Sequence, residues 1–65
     1  MILAEMKNAL VKNPGFYVDD CNEINCTRLA EDICDQMDGL DEDDNVPEEY
    51  FDNAVIAAEW WKENQ

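Results

Sequence analysis

Apolar positions recur at helical spacing in three stretches of the chain. In the first, Ile2, Leu3, Met6, Ala9 and Leu10 fall on one stripe, which predicts an amphipathic helix from about Ile2 to Lys12. Asn13-Pro14-Gly15 ends it, because proline disfavours helical geometry in the residue before it and glycine supplies the turn. Phe16-Tyr17-Val18 follows, three residues of high strand propensity with no obvious pairing partner. It reads as an extended linker that inserts aromatics into the core, with a short strand as the alternative.

The second helix has two candidate starts. Asp20 with Glu23 fits a capping box; Asn25 as N-cap places Ile24 and Leu29 as a hydrophobic staple. The apolar face decides. Cys26, Leu29, Ala30, Ile33, Cys34 and Met37 share one side, whereas Ile24 would project from the other. Asn25 is therefore the predicted cap, with Asp20 capping a preceding turn. Gly39 is placed to close the helix after Asp38. Leu40 to Asn45 reads as a loop. The third helix opens around Val46-Pro47 and runs to about Glu63, with Pro47, Tyr50, Phe51, Ala54, Val55, Ala58 and Trp61 as its apolar face. The expected fold is all-α: one domain over residues 1–65, a small three-helix bundle with an extended segment at Phe16–Val18.

Composition sets this pattern under strain. Leu, Ile, Val and Phe make up 14 of the 65 residues, just above the level at which disorder is expected. Seventeen acidic residues face four basic ones, for a net charge of −13. Such a domain is marginal, and its carboxylates repel one another. Its stability is expected to rise with salt.

The same composition removes many chemistries. The chain has no histidine and no serine, so the Ser/His and Cys/His nucleophile systems and His-ligated zinc are excluded. Cys21, Cys26 and Cys34 lack CxxC pairing and are read as reduced, small apolar side chains. Direct nucleic-acid binding is opposed by the sign of the charge. No stretch is long and apolar enough for a membrane span, and Met1–Glu5 is too charged and short for a signal peptide. An EF-hand register beginning at Asp41 puts Val46 where the loop needs glycine and Asp52 where it needs a bidentate glutamate. Asp38-Gly39-Leu40-Asp41 looks like the attachment site of acyl carrier proteins, but Gly39 stands where they have serine. A carboxylate-pair hydrolase needs a cleft that so short a chain has little room for. No enzyme activity and no cofactor or metal is expected.

What remains is the distribution of charge. From Asp38 to Asp52 eight of fifteen residues are acidic: Asp38, Asp41, Glu42, Asp43, Asp44, Glu48, Glu49 and Asp52. Lys7, Lys12, Arg28 and Lys62 all lie outside this window. Glu48, Glu49, Asp52, Glu59 and Glu63 share the outer side of the third helix. Ile56 projects from the middle of that side, and Trp60 lies one turn later at its edge. Solubility accounts for a magnitude of only about 2–8 on a small domain. Apolar anchors ringed by carboxylates have the composition of a patch that binds a basic partner. The plain alternative packs Ile56 and Trp60 on the first helix or on Phe16-Tyr17.

In size, charge and helical build the whole chain resembles the small acidic proteins that phages encode against host defence, the DNA-mimicking anti-restriction and anti-CRISPR proteins. The resemblance implies stoichiometric inhibition of a DNA-binding nuclease or surveillance complex in the bacterial cytoplasm. The partner would be a basic nucleic-acid-binding CRISPR or restriction component, met by a monomer or homodimer. The eight carboxylates above would act as phosphate surrogates, with Ile56 and Trp60 as anchors. A helical adaptor or antitoxin-like protein, binding a basic protein without imitating DNA, is the alternative.

Overall fold

A computed structural model of the chain describes residues 1–39 and 45–64. Within them the fold is all-α: α1 (Ile2–Lys12), α2 (Pro14–Tyr17), α3 (Cys26–Met37) and α4 (Glu48–Glu63). Helix α1 has the predicted bounds. Asn25 caps α3 as its side chain predicts: Oδ1 accepts the Arg28 N–H at 3.0 Å. At the other end Gly39 takes a φ of 76°, and the Asp38 and Gly39 N–H groups both bond the Cys34 carbonyl at 2.9 Å. Pro47 is the N-cap of α4, with Glu48 and Glu49 in its first turn.

The extended reading of Phe16–Val18 is corrected. Pro14 opens a single helical turn, α2, closed by a 2.9 Å bond from the Val18 N–H to the Pro14 carbonyl. Proline fixes φ near the helical value, and its missing N–H costs nothing in a first turn. That local geometry outweighs the strand propensity of three residues with no strand beside them. Only Val18 is extended, in an isolated antiparallel bridge with Ile24. The turn between them is tied by Asp19 rather than Asp20. Asp19 Oδ1 accepts the Cys21 and Glu23 N–H groups at 2.9 and 3.0 Å, and Asn22 takes a φ of 63°.

Among the described residues ten side chains form the buried core: Met6, Leu10, Tyr17, Leu29, Ala30, Ile33, Cys34, Tyr50, Ala54 and Ala57. Helix α4 packs against both α1 and α3, and α2 packs against those same two helices. The buried line of α4 is therefore Tyr50, Ala54 and Ala57, with Phe51 and Trp61 half-buried beside it. This corrects the expected face. Ala57 replaces Val55, which is 49% exposed, and Pro47 is exposed. The rotation of α4 that turns Tyr50 and Ala54 inward carries Ala57, three residues further, in with them and turns Val55 outward, so position around the helix rather than hydropathy selects the buried line. Met37, in the last turn of α3, and Phe16 also stand outside the core.

Candidate functional site

Helical spacing lines up Glu48, Asp52, Glu59 and Glu63 along the outer side of α4, and all four are exposed. At ~1.5 Å per residue the line runs about 22 Å. Glu49 lies beside its first turn, also exposed. Glu48–Asp52 and Glu59–Glu63 are like-charge neighbours four residues apart, an arrangement that costs the helix roughly 0.2–0.5 kcal/mol per pair.

The cations are engaged elsewhere. Lys62 Nζ lies 3.7 Å from Glu23 at the approach to α3. Lys7 Nζ sits 5.1 Å from the centre of the Trp60 ring. The Arg28 guanidinium stacks 5.1 Å from the centre of Phe16 and donates to its carbonyl at 3.3 Å. Lys12 is in the last turn of α1, where the helix dipole favours it. Among the described residues no lysine or arginine is paired with the α4 line.

The sequence-predicted site residues thus divide. Glu48, Glu49 and Asp52 are brought together with Glu59 and Glu63. Asp38 is at the C-terminus of α3, and its Oδ2 accepts the hydroxyl of the fully buried Tyr50. It therefore ties α3 to α4 as well as carrying charge. Asp41, Glu42, Asp43 and Asp44 lie outside the described residues, as does most of the predicted loop. Ile56 is 50% exposed on the acidic side. Trp60 is half-buried beneath Lys7. Val55 was assigned to the core but is exposed. It and Ile56 are both helical neighbours of Asp52 and Glu59. Only the rotation of α4 reveals it.

Tyrosine–carboxylate ties occur twice. Tyr17 donates to Asp32 Oδ2 as Tyr50 does to Asp38, so α3 is fastened to α2 and to α4. Burial, followed by the bond to Asp32 and its charge, pushes the Tyr17 phenol well above its ordinary value. The bond to Asp38, then burial, pushes Tyr50 up to about 12. A neutral phenol is thus held more tightly in the folded chain than in the unfolded one. The stability this contributes is complete below pH 10, the ordinary tyrosine value, and is lost as pH rises toward 12. Alkaline titration is expected to show tyrosinate absorbance and loss of helical circular dichroism rising together above pH 10. In Asp38→Asn the onset moves to lower pH. Ionisation at the ordinary value, with the helices intact, contradicts the ties.

A solvent-open groove of about 400 Å³ lies between α1, α2 and α3, with Glu5, Lys12, Phe16, Tyr17 and Asp32 in its walls. Its charges are mixed. Among the described residues no Cys, Asp and Glu side chains form a group able to hold a metal ion. Burial pushes the Cys26 thiol up, Glu23 adds to this, and Lys62 opposes it. No described helix is long and apolar enough to cross a membrane. Comparison with protein-family models, curated proteins and solved structures gives no match.

Proposed function

We propose that the chain is a stoichiometric protein inhibitor that imitates the charge of nucleic acid and occupies the DNA-binding groove of a host defence nuclease or surveillance complex. One observation carries this reading: the α4 line of carboxylates is exposed and, among the described residues, forms no ion pair with a lysine or arginine. The helix dipole favours Glu48 and Glu49 in the first turn, but the fold gains nothing from Asp52, Glu59 and Glu63 on the same side, since like charges on one helix repel. A groove lined with Lys and Arg to hold DNA, with one negative charge per ~1.7 Å of duplex, would accept it. Binding would proceed through electrostatic steering and counterion release, with no catalytic step and no cofactor. The partner is a basic CRISPR or restriction component in the bacterial cytoplasm, and the carboxylates proposed to meet it also include Asp38 and, by sequence, Asp41, Glu42, Asp43 and Asp44.

The test is capture from bacterial lysate on the immobilised chain at low salt, followed by elution with duplex DNA. A nucleic-acid-binding protein released by DNA is the expected result. A retained protein that DNA leaves in place favours the second reading, a helical adaptor for a basic protein. The observation behind that reading is the exposed pair Val55 and Ile56, for which a phosphate backbone has no counterpart.

A further inference from the structure

We infer that the outer face of α4 receives a basic amphipathic helix of the partner, whose apolar residues pack on Val55 and Ile56 and whose Lys or Arg side chains reach the flanking carboxylates. This deepens the reading of α4 as the partner-binding face and rests on it.

The argument starts from placement. Val55 and Ile56 are consecutive, so they stand about 100° apart around the helix axis. Asp52 precedes them by three and four residues, and Glu59 follows them by the same intervals. Each carboxylate is therefore a surface neighbour of both apolar side chains. The result is one compact unit in the middle of α4: two half-exposed aliphatic groups between two acidic ones. Glu48 and Glu63 extend the same line by a turn at each end.

Charge complementarity selects the occupant. No described cation pairs with this line, so the occupant must bring its own. Isolated cations would leave Val55 and Ile56 in water. A surface that is only apolar would strip water from Asp52 and Glu59 without replacing its hydrogen bonds. An occupant bearing both kinds of group in alternation satisfies the whole unit. Backbone chemistry then favours a helix over a strand. The interior N–H and C=O groups of α4 are bonded within the helix, so it offers no edge to which an extended segment could add. A second helix crossing at ~20° can interlock side-chain rows over several turns, which matches a line about 22 Å long.

The experiment uses the full chain and two synthetic peptides of identical Leu and Lys composition. One has leucine at helical spacing, and the other has the same residues scrambled. Both are titrated by calorimetry at about 150 mM salt, where exposed charge pairs alone are weak. The patterned peptide is expected to bind at least about tenfold more tightly. Val55→Ser with Ile56→Ser should bring its affinity down to that of the scrambled peptide and leave the scrambled peptide's binding unchanged. Phe16→Ser, at an exposed aromatic away from α4, should change neither. Circular dichroism confirms that the variants stay folded, and both serine sites are already exposed. Equal binding of the two peptides, or patterned binding that survives the double substitution, overturns the inference but leaves an acidic partner-binding face standing. If neither peptide binds even at low salt, the underlying reading of α4 fails as well.

Discussion

Replacing Asp52, Glu59 and Glu63 together by lysine is expected to abolish capture of the basic target while raising thermal stability. All three side chains are exposed, so nothing in the core changes. Each replacement removes a negative charge and adds a positive one, taking the net charge from −13 to −7. An exposed ion pair contributes about 0.2–1 kcal/mol. Reversal both loses that attraction and creates a repulsion of similar size. Three such reversals therefore cost roughly 1–6 kcal/mol of binding, or about tenfold to ten-thousandfold in affinity. Single reversals should cost modestly, about 0.4–2 kcal/mol each. The fold responds in the opposite direction. The Glu48–Asp52 repulsion becomes an attraction, and cations enter the last turns of α4, where the helix dipole favours them; the Glu59–Glu63 repulsion is only exchanged for a like-charge pair of the other sign. Affinity for the captured target and the melting curve are the two measurements. Loss of binding with an unchanged or higher Tm supports the interface. Retained binding reduces the carboxylates to solvation.

What could be read from the sequence was whatever depends on local chemistry. The bounds of α1, the Asn25 cap and the Gly39 stop each follow from a few adjacent residues, and the structure has all of them. The acidic side of α4 also follows from spacing alone. The buried line of α4 does not, because it depends on which two helices flank it. Hydropathy favours Val55, but the side of α4 turned toward the core carries Ala57. Trp60 was assigned as an anchor from its position, and the lysine above it comes from another helix. Asp38 looks like one more carboxylate in a run. Its bond to Tyr50 spans a separation of twelve residues. The α2 turn is hidden for a different reason: the strand propensity of three residues opposes the helical geometry that Pro14 sets.

Leu10→Ala is expected to unfold the chain at low salt and to let it refold as salt is added. Leu10 is fully buried, and truncation of such a leucine costs about 2–5 kcal/mol. At roughly 0.05–0.15 kcal/mol per residue, a chain of this length has only about 3–10 kcal/mol to lose. Among the described residues three of the ten buried ones are alanine, which contribute little apolar area. A net charge of −13 within so small a body lowers the total further. That electrostatic part is recoverable: the screening length falls from about 30 Å at 0.01 M salt to about 3 Å at 1 M. Helical circular dichroism of the variant should therefore be weak at low salt and approach that of the parent in concentrated sodium chloride. The neighbouring Val11→Ala is the matched control. Val11 is 65% exposed, and its truncation should shift stability by no more than about 0.5 kcal/mol. If Leu10→Ala stays folded at low salt, the core holds more than its size implies. If salt leaves both proteins unchanged, carboxylate repulsion is not what limits this fold, and a basic partner would relieve no strain on binding. The salt response of the variant therefore measures the electrostatic strain that a basic partner would relieve.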